Sequence, residues 1–165
     1  MADLISTYYH SPVGLLKISG TDDYIAEVTF HDTSQKAEGR RKQMPQMLIN
    51  CVEQLIQYFN GQRRQFELPL NQEGTPFQHS VWSELLQIPF GKTISYLDLA
   101  RRTGDTKATR AVASANGRNH IAIIVPCHRV IGSNKELIGY GGGLWRKKWL
   151  LEHEMKIAWG VQTLF

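Results

Sequence analysis

Apolar positions along the chain change their spacing twice, and each change marks a different kind of element. From Leu4 to Phe30 they alternate with polar ones, Leu16 with Ile18 and Val28 with Phe30 facing the same way, which is the period of a half-buried strand. The turn-forming runs Ser11-Pro12-Val13-Gly14 and Gly20-Thr21-Asp22-Asp23 cut this stretch into short antiparallel strands. Thr33 to Gln43 is polar and charged and reads as a loop. The spacing then becomes helical: Leu48, Cys51, Val52, Leu55 and Phe59 recur at intervals of three and four between Pro45 and Asn60, and Gly61 supplies the stop. A further strand is expected at Gln65 to Leu70, followed by a linker, Asn71-Gln72-Glu73-Gly74.

After Gly74 the pattern is helical with explicit start signals. Thr75-Pro76-Phe77-Gln78 offers a capping hydroxyl, proline at the first helical position and glutamine at the third, with Phe77, Val81, Leu85 and Ile88 on one apolar face. Pro89-Phe90-Gly91 breaks that helix. Ser95-Tyr96-Leu97-Asp98 opens a second capping box leading into Leu99, Ala100 and Arg101. Gly104 ends the second helix and Thr106 can cap a third, from Lys107 to Asn116, so the spacing predicts a helix-turn-helix. The third helix is nearly all small residues, with Ala108, Ala111, Ala113, Ser114 and Ala115 around the single long cation Arg110. Small side chains let a helix approach either the protein core or a nucleic-acid groove, and the pattern does not choose between them. The expected architecture is α+β, with an N-terminal domain over 1–73 and a mostly helical domain over 74–165.

Composition narrows the class. A chain of 165 residues with 42% hydrophobic and 21% charged content is that of a globular protein, and no run approaches the roughly 18 apolar residues of a spanning helix. Asp3 stands where a signal peptide would carry a positive charge, so an intracellular, cytoplasmic protein is expected, or a nuclear one if the source is eukaryotic. A formal charge of +4 is compatible with an anionic partner without establishing one. The two cysteines, Cys51 and Cys127, form neither a CxxC nor a Cys/His ligand cluster, so free thiols and no metal are expected. Cys51 lies on the apolar stripe of its helix and reads as a core thiol.

The second cysteine sits in a different context. Ile121-Ala122-Ile123-Ile124-Val125 is a continuous apolar run, read as a buried strand or extended core segment, and Pro126 ends it just before Cys127-His128-Arg129. Cysteine attacks as thiolate, and a thiol with pKa of about 8.5 needs a group to take its proton. His128 is adjacent and would act through a water, because neighbours on an extended chain point to opposite faces. Taken alone, the pair reads more readily as a core thiol beside a surface histidine. Downstream, Gly139-Tyr140-Gly141-Gly142-Gly143 forms a loop open to close ligand approach. A helix from Leu144 to Met155 follows, with Arg146, Lys147 and Lys148 as a basic edge. Glu154 lies four residues past Leu150 and three past Leu151, on the apolar side. A buried carboxylate needs a partner, and a histidine oriented by one is a coherent proton acceptor for Cys127.

Pro126-Cys127-His128-Arg129-Val130, Gly139-Tyr140 with Gly142-Gly143-Leu144, then Lys147, Trp149-Leu150-Leu151 and His153-Glu154, resemble the O6-alkylguanine-DNA alkyltransferases. The resemblance runs back through Asn119, Arg110-Ala111-Val112, Ser95-Tyr96 and Gly74-Thr75-Pro76-Phe77, covering about residues 74 to 154, and is weaker in the N-terminal third. It implies a small ribonuclease-H-like α/β domain followed by a winged-helix-like one carrying the helix-turn-helix. It also implies single-turnover transfer of an alkyl group from O6 of a flipped guanine, with O4-alkylthymine as a second candidate substrate, onto Cys127, without a cofactor. His128 would be the water-mediated base, Glu154 its orienting carboxylate, and Asn119 the hinge residue.

The same resemblance assigns the contacts with substrate. Tyr96 would press on the phosphate beside the lesion and Arg110 would replace the extruded nucleotide in the stack, with Ala111, Ser114 and Arg129 among the other DNA contacts. Val130, Tyr140, Gly141 and Asn116 would line the pocket. The implied partner is double-stranded DNA containing alkylated bases, met by a monomer away from any membrane. Some members of the family have serine at Gly141, methionine at Asn116 and proline at Ala122, differences that bear on the size of alkyl group accepted. Two other classes are a non-enzymatic lesion-binding relative, against which Cys127 itself argues, and a cysteine hydrolase, which would need an oxyanion hole.

Overall fold

The structure is a computed structural model that describes residues 3–31 and 43–160; the expected loop at Thr33 to Gln43 lies outside these except for Gln43 itself. The chain divides into two units, Met1–Glu73 and Gly74–Phe165. In the first, β1 (Ile5–Ser11), β2 (Gly14–Gly20) and β3 (Ile25–His31) form an antiparallel sheet in sequential order. Its register sets Leu16 beside Tyr9 and Phe30, and Ile18 beside Thr7 and Val28. That pairing gathers the alternating apolar side chains on one face. Helix α1 (Gln46–Phe59) covers that face and buries Leu48, Cys51, Leu55, Tyr58 and Phe59, each large aliphatic contributing about 1.5–3 kcal/mol when fully removed from water. Burial pushes the Cys51 thiol up to about 12, so it has no thiolate character near neutrality.

The strand expected at Gln65 to Leu70 is reduced to one parallel bridge between Ile25 and Leu70. The Ile25 N–H donates to the Pro69 carbonyl, but Pro69 has no N–H with which to continue a ladder. The Gln54 side chain instead takes both backbone groups of Glu67, accepting its N–H at 2.9 Å and donating to its carbonyl at 3.2 Å.

In the second unit, α2 (Pro76–Leu85) starts on the reciprocal capping box formed by Thr75 and Gln78. Phe77 does not join the apolar face and is 40% exposed; Trp82 does, and its indole N–H donates to the Ala115 carbonyl at 2.9 Å. The two-residue strand β4 (Ile94–Ser95) leads into α3 (Tyr96–Arg102), whose N–H at Asp98 bonds to the Ser95 hydroxyl. The reciprocal half of that box gives way to an Asp98–Arg101 ion pair at 3.1 Å. Gly104 turns the chain at φ 98°, a conformation that favours glycine. Asp105, not Thr106, then caps the next element, accepting the Lys107 N–H. The first three residues, Thr106–Ala108, wind as a 3-10 turn before α4 (Thr109–Gly117), so the expected helix begins two residues late. The pair α3–α4 is the helix-turn-helix, packed on α2. Strand β5 (Val130–Ile131) pairs in parallel with β4, and α5 (Leu144–Trp159) completes the unit. Among the described residues no helix is long and apolar enough to cross a membrane.

Gly91 fastens the end of α5. It holds φ 79°, and an added Cβ would lie 2.5 Å from the Ala158 Cβ and 3.0 Å from Trp159 Nε1, which donates to the Gly91 carbonyl at 2.8 Å. Gly91→Ala therefore combines backbone strain with a clash, and urea denaturation is expected to show a loss of about 1–3 kcal/mol.

Candidate active site

Helix α4 delivers two asparagines to the cysteine segment. From its last turn Asn116, 5% exposed, donates to the Cys127 carbonyl at 3.3 Å, and just past its end Asn119 turns inward. One Asn119 carboxamide organises the whole approach to the thiol. Its Nδ2 lies 2.9 Å from the Val125 carbonyl, 3.2 Å from that of Ile121 and 3.3 Å from Cys127 Sγ, while its Oδ1 accepts the Ile121 N–H at 3.1 Å.

Ile121–Val125 is buried but not extended. Val125 N–H bonds back to Ile121 O at 3.0 Å and Ile124 N–H to Ala122 O at 2.8 Å, with Ile123 at φ 72°. A β-branched residue there is strained, and the Asn119 clamp together with full burial holds it. The cysteine is thus presented by a tight turn rather than by a strand end, and Cys127–Arg129 continue as a 3-10 turn into β5.

His128 is fully buried, and its Nε2 lies 2.6 Å from Glu154 Oε2. Burial would raise the carboxyl of Glu154, but His128 and Arg129 hold it well below the usual carboxylate range. Burial lowers the imidazole pKa below 6.5, only partly opposed by Glu154. Neutral imidazole beside an ionised carboxylate must carry its hydrogen on Nε2. Nδ1 is therefore the basic nitrogen, and it has no hydrogen-bond partner among the described protein atoms. For Cys127, burial raises the pKa; the Asn119 donor and the Lys147 charge act in the opposite direction. The resting sulfur is a thiol, and its deprotonation is stabilised by an N–H donor and a cation.

The basic edge expected on α5 is buried at two of its three positions. Arg146 is 5% exposed and donates to the Gly142 carbonyl at 2.9 Å; Lys147 is fully buried and donates to the Ile138 carbonyl at 2.9 Å. Burial lowers the Lys147 ammonium to about 8, opposed by Cys127. Lys147 is the site residue that sequence reasoning passed over. It lies three residues before Leu150, four before Leu151 and seven before Glu154, the same face from which Glu154 was inferred.

The remaining candidates separate. Arg110, Ala111 and Ser114 share the exposed face of α4, opposite Val112, Ala115 and Asn116. No group among the described residues engages the Arg110 guanidinium. Arg129 is not on a DNA-facing surface: it is 6% exposed and its guanidinium bonds Glu154 and the Ile88 carbonyl. The Tyr96 hydroxyl donates to the Ile138 carbonyl at 2.9 Å, and its ring lies 5.6 Å from Lys147 Nζ, so it stands beside the thiol pocket. Burial raises its pKa, as does the nearby Cys127. Tyr140 is half-buried and Gly141 exposed, whereas Val130 is fully buried with its N–H on the Cys127 carbonyl. Among the described residues no three His, Cys, Asp or Glu side chains converge as a metal site.

Comparison with known proteins places this geometry. The family model described as 6-O-methylguanine DNA methyltransferase, DNA binding domain, matches residues 76–156, and that for the ribonuclease-like domain of the same proteins matches residues 4–72. The methylated-DNA--protein-cysteine methyltransferase of Mycolicibacterium paratuberculosis is 43% identical over 156 residues, covering 94% of each chain. The O6-methylguanine methyltransferase of Mycobacterium tuberculosis superposes with a TM-score of 0.82 at 41% identity, over 93% of this chain and 94% of that one. A M. tuberculosis OGT solved in complex with DNA superposes at 0.81, with 41% identity over 91% and 92% of the two chains.

Proposed function

The chain belongs to the 6-O-methylguanine DNA methyltransferase family, and from that premise we infer that it is a direct-reversal DNA repair protein transferring an alkyl group from O6 of guanine to Cys127. The observation that carries the assignment to this cysteine is the linkage of its 3-10 turn to a buried carboxylate: Glu154 bonds His128 Nε2 at 2.6 Å, which leaves Nδ1 to accept the thiol proton. A water relays that proton. The thiolate, held by the Asn119 donor and the Lys147 charge, attacks the alkyl carbon; the C–O6 bond breaks as the S–C bond forms, and the electron pair leaves on the guanine.

A base inside a duplex does not present this carbon to a buried sulfur, so the nucleotide leaves the stack at a cost of a few kcal/mol. The outward face of α4 fits that task. Ala111 and Ser114 are short enough for close approach to a groove, and Arg110 is an unengaged cation of the length needed to fill the gap. We assign contact with the base to Tyr140, Gly141 and Asn116, a reading supported by the Asn116 bond to the Cys127 carbonyl and by the effect of Cys127 on Tyr140 and Tyr96. The protein acts as a monomer inside the cell, on double-stranded DNA.

An alkyl thioether is inert to imidazole and amide groups such as those of His128 and Asn119, so each molecule reacts once. Titrating the protein with a duplex bearing O6-methylguanine is expected to end at one lesion repaired per protein; continued turnover contradicts the proposal. Arg110→Ala is expected to slow transfer from duplex on the order of tenfold while leaving transfer from the free O6-alkylguanine base within about twofold, because only the duplex pays for unstacking.

A further inference from the structure

Arg129 is buried without being silent. Its Nε donates to Glu154 Oε1 at 2.7 Å and its Nη2 to Oε2 at 3.2 Å, and Oε2 is the same oxygen that receives His128 Nε2. Its third arm, Nη1, donates to the Ile88 carbonyl at 2.7 Å, and the guanidinium lies 5.7 Å from the Phe90 ring centre. The 88–91 segment is held in turn by Trp159 through the Gly91 carbonyl, so the helix that carries Glu154 also fixes the anchor of its partner. Without Arg129, a buried carboxylate would have one neutral donor and freedom to rotate about its last bond. With it, both oxygens are engaged by a planar fork whose geometry matches a carboxylate.

We infer that Arg129 is a positioning residue for alkyl transfer: by forking Glu154 it fixes the oxygen on which His128 is held, and so the direction in which Nδ1 points. This rests on the reading of Cys127 as acceptor and His128 as its proton acceptor. Glu154 and Lys147 face His128 from α5, Arg129 and Cys127 belong to its own turn, and Tyr140 faces Cys127 and Glu154 from the glycine loop. Arg129 is thus one of two cations opposing protonation of the His128–Glu154 pair. A role in stability alone would leave the rate of transfer per folded molecule unchanged when Arg129 is replaced by lysine.

The test is the rate of methyl transfer from an O6-methylguanine duplex between pH 5.5 and 8, for the wild-type chain, Arg129→Lys and Arg129→Met. Arg129→Met is expected to slow transfer at pH 7 by about tenfold to a hundredfold and to move the acid limb of the profile upward by about one pH unit, because loss of a cation lets the pair hold its proton to higher pH. Arg129→Lys keeps the charge but cannot fork, so its acid limb should stay in place while the rate falls several-fold. Slowing without movement of the limb in Arg129→Met, or wild-type rates in Arg129→Lys, overturns the proposal.

If Arg129→Met does not fold, the 15N shifts of His128 in the wild-type chain decide: one protonated ring nitrogen down to pH 5.5 supports the role, and two above pH 6.5 overturn it. A wild-type chain whose Cys127 gains no methyl group would instead defeat the underlying reading.

Discussion

Cys127→Ser is expected to abolish alkyl transfer, by a factor on the order of a thousand or more, while the variant still binds duplex DNA with a dissociation constant within about threefold of wild type. A serine hydroxyl is far harder to ionise than a thiol and a poorer nucleophile toward an alkyl carbon. His128 Nδ1 is also a base matched to a thiol and not to an alcohol. Cys127 is 7% exposed, within a turn held by Asn116 and Asn119 through their amides, so exchanging sulfur for oxygen removes one weak acceptor and leaves the scaffold intact. The exposed face of α4 is untouched. Gel-shift and transfer assays on one preparation measure both quantities; residual transfer at a tenth of the wild-type rate would mean that the nucleophile lies elsewhere. Cys51, with its thiol pushed up to about 12 by burial, is not a substitute.

The largest effect on stability is expected from Glu154→Gln. The substitution keeps the shape and removes the charge, leaving the Arg129 guanidinium in the interior without its counter-ion, which costs about 3–5 kcal/mol. It also puts an amide where His128 Nε2 needs an acceptor. Either the amide offers its oxygen and the interaction weakens, or it offers its nitrogen and the imidazole takes the wrong tautomer; transfer should fall by roughly a hundredfold or more. The wild-type pH dependence has a definite sign. His128 has a folded pKa below its usual 6.5, so its contribution to stability is complete above pH 6.5 and is lost as pH falls below that value. Glu154, also depressed, contributes above the ordinary carboxylate range, near pH 4.3, and loses its contribution only as the pH drops toward its much lower folded value. Urea midpoints should therefore decline from pH 7 to pH 5 through His128 before any carboxylate effect.

Elements whose sequence logic is local were legible in the chain. The Thr75–Gln78 capping box, the glycine turn at Gly104, the period-two strands and the amphipathic α1 each depend on residues within a few positions of one another. Failures came where distant groups decide. Gln65 to Leu70 has strand composition, but Pro69 cannot extend the ladder and Gln54 satisfies Glu67 from a neighbouring helix. The apolar run Ile121–Val125 looks extended because nothing local reports that Asn119 ties its two ends together.

At the site, Cys127, His128 and Glu154 could be connected from motif and helical spacing. Arg129 and Lys147 could not be placed from their type, since long cations are usually at the surface. Arg129 is drawn inward by the carboxylate it serves, and Lys147 by the carbonyls of Ile138 and Gly139. The same helix-face spacing that singled out Glu154 applies to Lys147.

The acceptor assignment is tested most directly by weighing peptides after the protein meets a duplex carrying one O6-methylguanine. The peptide containing Cys127 is expected to gain one methyl group in step with loss of the lesion, and the Cys51 peptide none. Repair of the lesion with an unmodified Cys127 peptide would contradict the account.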